Sequence, residues 1–157
     1  MASHLEERLG ELGIELPPAI ELPAGRPAIA LVRADGDHLY LSGSGPFRGR
    51  ELVYAGKLGA DVTLEQGYAA ARLTALNHLR TLVDAGVDVD RLHWVKALGM
   101  VNSSPAFTEQ PAVVNGYSEL IVELLGEERG LHARSAVGMA SLPWNMAVEV
   151  EATCRIA

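Results

Sequence analysis

The chain has 157 residues, of which 48% are hydrophobic, enough for one sizeable core but too few residues for two ordinary domains. Thirteen Lys and Arg against 20 Asp and Glu give a formal net charge of -7, which repels a phosphate backbone and makes nucleic acid a disfavoured partner. Cys154 is the single cysteine, and no apolar run reaches the roughly 18 residues that cross a bilayer. We predict a single cytoplasmic domain over residues 1–157, with no membrane contact.

The first 13 residues have the pattern of a short docking helix. Ser3 and Glu6 have the spacing of a capping box, and Gly13 is a typical end signal. One helical face carries three leucines, Leu5, Leu9 and Leu12. The Pro-rich stretch 14–27 that follows cannot sustain a helix or a central strand, so it is predicted to be an extended connector.

The first predicted hairpin comes from two β-rich runs, AIALVR and HLYLS, on either side of Asp35-Gly36. Asp-Gly is a strong hairpin signal because both central residues of that turn favour positive φ. The second run continues into Ser42-Gly43-Ser44-Gly45-Pro46. Such a segment lets backbone approach a ligand, but no helix follows at the distance that a phosphate loop requires.

The central part of the chain predicts a long helix and then a strand. Thr63 and Gln66 form a second capping box, and Gly86 ends the helix. Its predicted core stripe is Ala69, Leu73, Leu76, Leu79 and Val83. In the strand at 92–101, alternation places Trp94, Leu98 and Met100 on one side and Val95, Ala97 and Gly99 on the other.

A second helix follows Pro111, which is tolerated in a first helical turn, and ends at Gly126. Its predicted core stripe is Val113, Tyr117, Leu120 and Leu124. Asn115 lies near its start, where an asparagine usually caps the helix or faces solvent. The order of elements predicts an α+β domain, a mostly antiparallel sheet with two helices packed on one face. Because the other face also carries apolar residues, we expect the chain to self-associate.

The last stretch, HARSAVGMASLPWNMAVEVE over 132–151, predicts two strands joined by a Pro-containing turn. Glu149 and Glu151 alternate with apolar residues and therefore share a face. Folding the stretch as a hairpin places Arg134 across from both carboxylates. This arrangement is either a cross-strand ion pair, worth at most about 1 kcal/mol, or an arginine that binds a carboxylate substrate beside a glutamate that moves a proton.

Other chemistry-bearing residues give weaker signals. The histidines show no metal-ligand spacing, so no metal site is predicted. They are His4, His38, His78, His93 and His132. Cys154 shares the parity of apolar strand residues and is interpreted as a small buried hydrophobe, whereas Ser42 has no His and Asp in a triad spacing. The pattern leaves Trp144 as either an exposed aromatic or an interface residue.

Several segments together resemble the Rid/YjgF family, in its endoribonuclease L-PSP-like branch, over essentially the whole chain. They are LYLSGSGP, ALNHL, VNSSPAFTEQPAVVNGYSEL, HARSAVGMASLP and VEVEA. The resemblance implies a chorismate-mutase-like fold and a homotrimer with a barrel-like interior and ligand clefts between subunits. It also implies hydrolytic deamination of reactive enamines and imines, such as 2-aminoacrylate, to a 2-keto acid and ammonia, without a metal or organic cofactor.

The resemblance also implies roles for individual residues. Arg134 matches the family's carboxylate-binding arginine and Glu149 its water-activating glutamate, while Ser42, Gly43 and Asn115 match substrate-binding positions. Glu151 is then a structural partner. The sequence departs from the family at three places: Ser44 replaces a larger polar residue, the stretch 24–27 lacks an aromatic, and Ala136 replaces a frequent cysteine.

Two other functions stay open from the sequence. A non-catalytic protein that binds small acids would use Arg134 in the same way, with the trimer as a sensor or scaffold. The ribonuclease in the name of the branch is disfavoured by the net charge of -7 and by the lack of a basic stripe. Arg26 is an extra arginine that either reaches a second anionic group or lies solvated at the surface. The sequence assigns no role to His132.

Overall fold

The computed structural model describes residues 3–21 and 28–157. The predicted N-terminal helix is confirmed as α1, His4–Leu12, with Ser3 and Glu6 forming its capping box. The following chain is irregular up to Glu21, whose backbone N–H donates to the carbonyl of Gly49. The rest of the predicted connector, including Arg26, lies outside the described residues.

Five of the strands in the described ranges form one sheet, in the order β1-β2-β7-β5-β6, and β3 pairs with β4 in a separate ribbon. Only the β5–β6 pair of the large sheet is parallel, so the predicted mostly antiparallel sheet is confirmed. The strands are β1 Val32–Asp35, β2 His38–Ser44, β3 Phe47–Arg48, β4 Glu51–Leu52, β5 Leu92–Asn102, β6 Ala133–Met139 and β7 Val148–Ile156.

The predicted first hairpin is formed by β1 and β2, with its turn one residue later than expected. Asp35 pairs with His38, so the two-residue loop is Gly36-Asp37. Gly36 has φ +61°, a conformation that glycine adopts without a Cβ penalty. Asp35 therefore ends the first strand instead of occupying the turn.

The long predicted helix is α2, Leu64–Asp84, and it begins at the capping box of Thr63 and Gln66. Its predicted core residues Leu73, Leu76 and Leu79 are buried, but Val83 is 42% exposed and Ala69 is only partly buried. The buried face is instead completed by small residues, Ala70, Ala71 and Ala75. The predicted stripe was therefore wrong at both ends, because a neighbouring helix covers the alanine side.

That neighbour is α3, Gln110–Leu125, followed by the short α4, Glu127–Gly130. Its predicted core stripe is confirmed, since Val113, Tyr117, Leu120 and Leu124 are all buried. Two glycines allow its close packing. A Cβ on Gly99 of β5 would lie 2.5 Å from the Val114 side chain, and a Cβ on Gly116 would lie 2.1 Å from the Tyr68 carbonyl oxygen of α2. The position of α3 over the sheet is therefore tightly determined.

A bulge in β5 overturns the predicted alternation. Trp94 pairs with Cys154 and Lys96 with Thr153, so Val95 has no partner of its own on β7. One extra residue moves the following side chains to the opposite face. Trp94 is buried beneath the helices, whereas Leu98 and Met100, which were predicted to share its face, lie on the other face. Lys96, Glu149, Glu151 and Thr153 lie on that other face too.

The predicted hairpin over 132–151 is wrong, because β5 lies between β6 and β7. At the end of β5, the N–H of Asn102 donates at 2.9 Å to the carbonyl of Ala147, which directly precedes β7. The N–H of Ser103, the next residue, donates at 3.2 Å to the carbonyl of Met139 in β6. Parallel neighbours need a long connection, and α3 supplies the one between β5 and β6.

Helices α2 and α3 pack against one face of the sheet. The face without helices, here called the outer face, carries Lys96, Leu98, Met100, Glu149 and Glu151. Tyr40 and Val137 add large apolar surface to it, at 47% and 40% exposure. Within the described ranges, no helix combines the length and apolarity needed to cross a membrane.

Candidate functional site

Arg134 of β6 lies beneath α3, in a group that we call the Arg134 cluster: Arg134, Asn115, Ser118 and His132. Its Nη1 donates to Asn115 Oδ1 at 3.0 Å and to Ser118 Oγ at 3.1 Å, and its Nη2 donates to the Pro111 carbonyl at 3.3 Å. These acceptors are all neutral. Among the described residues, no carboxylate lies within ion-pair distance of the guanidinium.

The guanidinium of Arg134 is partly buried, and it has no counter-ion among the described residues. Burial lowers its pKa, which the charge of Glu119 only partly opposes. Arginine has five N–H donors, and the three bonds described above leave Nε and one Nη2 hydrogen without a partner in the described chain. A carboxylate ligand is the group that such a free pair of donors binds best.

His132 and Ser118 set the orientation of that guanidinium. His132 Nδ1 lies 2.6 Å from the Gly130 carbonyl, which only accepts, so Nδ1 carries the proton. Nε2 of the neutral ring then accepts from the Ser118 hydroxyl at 3.0 Å, and the lone pairs of Ser118 Oγ face Arg134. Burial lowers the pKa of His132, and the charge of Arg134 lowers it further. The neutral form that this arrangement needs is thereby favoured.

Sequence reasoning missed the parts that Ser118 and His132 take in this cluster. It also placed Asn115 at the start of the helix, whereas Asn115 lies in the second turn of α3. Ser118 follows Asn115 by three positions, so both side chains project from the same helical face. That spacing was the available signal, but which strand the face covers was not visible in the sequence.

Glu149 belongs to a second group, here called the Glu149 pocket: Glu149, Ser42 and Gly43. A Cβ on Gly43 would lie 2.2 Å from Glu149 Oε1, so the carboxylate packs directly against backbone that only glycine provides. Burial raises the pKa of Glu149, and the neighbouring charge of Glu151 raises it further. A carboxylate with a raised pKa is suited to accept a proton and return it.

The backbone of the pocket contains a second β-bulge, which lies in β2. Leu41 pairs with Ala152 and Ser44 with Val150, so Ser42 and Gly43 together oppose a single residue of β7. Such bulges redirect side chains and are frequent next to functional sites.

Three hydrogen bonds hold Ser42 in this bulge. Its hydroxyl donates to the Ala30 carbonyl at 2.6 Å, its N–H donates to the Leu31 carbonyl at 2.9 Å, and its carbonyl accepts from His78 Nε2 at 3.0 Å. Nδ1 of His78 accepts from the Tyr117 hydroxyl at 2.7 Å. Because Ser42 already uses its hydroxyl proton, the side chain offers a ligand only lone pairs.

His78 is a supporting residue that the sequence pattern did not single out. Its side chain is 1% exposed, and burial lowers its pKa to about 4. It is therefore neutral at physiological pH, with its proton on Nε2 facing Ser42. A fixed neutral tautomer keeps the bulge beside Glu149 in one conformation.

One chain does not bring Arg134 and Glu149 together. Arg134 pairs with Ala97 of β5, and Glu149 pairs with Met100 of the same strand. Positions three apart in a strand face opposite ways, so Arg134 lies on the helix-covered face and Glu149 on the outer face. The predicted meeting of Arg134 with Glu149 and Glu151 within one hairpin is wrong.

Cys154 is buried, as predicted, and burial raises the pKa of its thiol. Glu149 and Glu151 share a face, as predicted, and Glu151 is exposed. No three His, Cys, Asp or Glu side chains converge on a common point in the part of the chain that the structure describes.

Comparison with known proteins identifies relatives along nearly the whole chain. Residues 6–154 match the model of the family described as "YjgF/chorismate mutase-like, putative endoribonuclease". The chain is 45% identical over 147 residues to protein TCP17 of Trypanosoma cruzi, a match that covers 92% of this chain and 89% of that protein.

Solved structures show the same fold. The Agrobacterium tumefaciens protein Atu1372, of unknown function, is 38% identical with a TM-score of 0.87, covering 98% of this chain and 93% of that one. A "putative endoribonuclease" of Shewanella oneidensis is 31% identical with a TM-score of 0.89, covering 97% and 99%. The YjgF gene product of E. coli is 25% identical with a TM-score of 0.59, covering 89% and 93%. These matches agree with the α+β, chorismate-mutase-like fold expected from the resemblance.

Proposed function

The chain belongs to the YjgF/chorismate mutase-like family, and from this premise we propose that it hydrolyses reactive enamines and imines derived from 2-amino acids. The products are a 2-keto acid and ammonia. The observation that carries the proposal is the guanidinium of Arg134, which is held by neutral acceptors and has no carboxylate partner among the described residues. The substrate carboxylate supplies the missing counter-ion through a bidentate pair, a geometry that lysine does not reproduce.

Glu149 supplies the proton transfer in this proposal. Its carboxylate takes a proton from a water molecule whose oxygen adds to the carbon of the C=N bond. Glu149 returns that proton to the nitrogen, which gives a carbinolamine. A second proton then moves from its new hydroxyl to the nitrogen, and the C–N bond breaks with release of ammonia as the C=O bond forms. The raised pKa of Glu149 supports this role, because a group that both takes and returns a proton works best with a pKa closer to neutrality. An enamine enters the same route after it has tautomerised to the imine.

The opposite placement of the two residues supports a site shared between copies of the chain. A small imino acid cannot touch both faces of one sheet, so Arg134 of one subunit acts with Glu149 of another. The apolar residues of the outer face, among them Leu98 and Met100, provide the contact surface, and we propose a homotrimer. Asn115 contributes by holding Nη1 of Arg134, and Gly43 lets Glu149 lie against the Ser42 bulge. The cytoplasmic location and the lack of a cofactor stay predictions from the sequence.

The decisive experiment measures 2-keto acid release from an imine generated in situ by an amino-acid oxidase. Arg134→Ala removes a charge-assisted pair worth about 3 kcal/mol and should lower kcat/KM by about 100-fold. Arg134→Lys keeps the charge without the two parallel donors, so its kcat/KM should lie between those of Arg134→Ala and the parent protein. Glu149→Gln should lower kcat while leaving KM near its original value.

An exposed arginine of β1 offers the matched control, because Arg33→Ala removes the same charge outside both groups. Equal activity of Arg134→Ala and the parent protein would refute the proposal. Saturable binding of a 2-keto acid without turnover would favour a non-catalytic binding protein instead. Cleavage of RNA that is lost in Arg134→Ala would favour a ribonuclease, whereas cleavage that separates from the protein on a further column would not.

A further inference from the structure

A cavity of about 800 Å³ extends from the Glu149 pocket along the side of the sheet. Its walls are the chain leading into β1, the C-terminal half of α2, and the turn at Pro143–Asn145. Pockets for drug-sized ligands span roughly 300–1,000 Å³. A three-carbon imino acid would occupy only a small part of this space.

The lining of the cavity is apolar and unusually exposed. Ile29, Leu31 and Trp144 are 61%, 48% and 52% exposed, and they are three of the nine large exposed hydrophobic residues in the described ranges. Phe47 and Met146 are buried at its base. Single exposed apolar residues need no explanation, but their concentration around one cavity marks a binding surface.

Trp144 is held over the cavity by an unfavourable backbone conformation. Trp144 and Asn145 have φ values of +53° and +60°, a region that residues with a Cβ rarely adopt. Two hydrogen bonds from outside the turn maintain the conformation. Asn145 Oδ1 accepts from Asn102 Nδ2 at 3.0 Å, and the Asn145 carbonyl accepts from the Gly56 N–H at 2.8 Å. The indole contacts the edge of Phe47, with ring centroids 6.0 Å apart. This geometry keeps a large aromatic surface available to a ligand.

Two residues that line the cavity each carry a buried polar atom without a partner in the described chain. Asn77 is 1% exposed, and its Nδ2 donates to the carbonyls of Gly45 and Phe47 at 2.9 Å. These two bonds fix the orientation of the amide and leave its Oδ1 without a donor. Ser44 Oγ also has no partner in the described chain. Buried acceptors are almost always satisfied in folded proteins. The cavity therefore suits a ligand that combines an apolar body with a hydrogen-bond donor.

We propose that this cavity binds the side chain of the substrate, and that the preferred substrates are imino acids with large aromatic side chains carrying an N–H or O–H group, such as an indole or a phenol. The inference rests on the proposed function, because Glu149 lines the same cavity and acts on the C=N bond at its end. The side chain contacts Trp144, Ile29 and Leu31, and its donor meets Asn77 Oδ1 or Ser44 Oγ.

The test compares imines generated from alanine, leucine, phenylalanine, tyrosine and tryptophan, together with binding of the stable products pyruvate, phenylpyruvate and indolepyruvate measured by calorimetry. We expect kcat/KM to rise at least tenfold from the alanine to the tryptophan series, with phenylalanine below tyrosine and tryptophan. Trp144→Ala should remove most of this difference, because kcat/KM falls most for the tryptophan-derived imine. Trp144→Phe should retain part of it, and Leu64→Ala, an exposed apolar residue outside the cavity, should retain all of it.

The outcomes separate the two proposals. If Arg134→Ala abolishes turnover but small and large substrates react equally well, the cavity proposal is wrong and the deaminase proposal stands. If no imine is hydrolysed and no keto acid binds, the proposed function is wrong, and the cavity proposal that rests on it is wrong as well. A Trp144→Ala variant that loses its oligomeric state while keeping its substrate preference would show that another copy of the chain covers the cavity, which also overturns the inference.

Discussion

In the proposed site, Arg134 depends on side chains that would not touch the substrate. Ser118 Oγ accepts from Arg134 Nη1, and its own hydroxyl donates to His132. His132 is in turn fixed by the Gly130 carbonyl. In this chain of bonds His132 acts on Arg134 only through Ser118, so both are positioning residues. Their effect should appear in carboxylate binding more than in the chemical step.

Substitution of these two residues should therefore be non-additive. Ser118→Ala removes one of the two acceptors of Nη1 and should weaken binding of pyruvate about fivefold, which corresponds to about 1 kcal/mol for one hydrogen bond. His132→Phe should have a smaller effect, and the double variant should bind no more weakly than Ser118→Ala alone. Calorimetric titration measures the affinities, and KM should rise while kcat changes little.

Thermal unfolding of the same variants supplies the control for a general loss of structure. Additive effects of the two substitutions would contradict the relay, as would an unchanged affinity in Ser118→Ala. The sequence supplied Arg134 and Asn115 through the family resemblance, but it did not single out Ser118 or His132. Their roles depend on which strand α3 covers, and no local pattern encodes that.

Helix α3 carries two members of the Arg134 cluster, Asn115 and Ser118, and its position depends on Gly116. Any Cβ there would lie 2.1 Å from the backbone carbonyl oxygen of Tyr68. Backbone on the partner side cannot move like the end of a flexible side chain, so α3 itself would have to shift. Asn115, the preceding residue, would shift with it.

Gly116→Ala should accordingly destabilise the protein and impair the site together. Overpacking typically costs about 1–3 kcal/mol, and the affinity for pyruvate should fall in the same variant. Urea unfolding and calorimetric titration measure the two effects.

Gly10 in α1 provides the matched control, because a Cβ there meets nothing within 4 Å. Gly10→Ala should stabilise the protein by about 0.4–1 kcal/mol and leave ligand affinity unchanged. A Gly116→Ala variant with parental stability and affinity would show that the α2–α3 contact does not position the cluster.

In the part of the chain that the structure describes, helices cover one face of the sheet and not the other. The outer face presents Leu98 and Met100 between strands that also carry Glu149 and Glu151, and Tyr40 and Val137 extend its apolar surface. A soluble monomer rarely leaves such a surface in water. The proposed homotrimer would cover this surface and would bring Arg134 of one subunit to Glu149 of another.

Leu98→Asp should dissociate the assembly, because it places a charge in the middle of the outer face. Light scattering coupled to size-exclusion chromatography should show a trimer for the parent protein and a species near 16.7 kDa for the variant. Deaminase activity should fall with the trimer although Arg134 and Glu149 are both intact.

Leu131→Ala serves as the comparison, since Leu131 is 63% exposed and precedes β6. It should leave the assembly unchanged. A parent protein that is monomeric at micromolar concentration yet fully active would rule out a site shared between subunits.

Local features of this protein were predictable from the sequence, because they depend on residues a few positions apart. The two capping boxes, the Gly36 turn, the buried stripe of α3 and the alternation of Glu149 and Glu151 all arise from short-range geometry. The family resemblance added the fold and the candidate residues Arg134 and Glu149.

Tertiary structure decided the features that depend on distant partners. Pairing of β6 with β7 or with β5 would form backbone hydrogen bonds of similar energy, so local sequence does not decide between them. In the structure β5 lies between the two strands and pairs with both along its length. One unpaired residue, Val95, reverses the facing of every later side chain in β5. Arg134 and Glu149 lie on opposite faces because their partners in β5, Ala97 and Met100, are three positions apart. The packing of the whole sheet sets that register, and the spacing of residues along the chain does not.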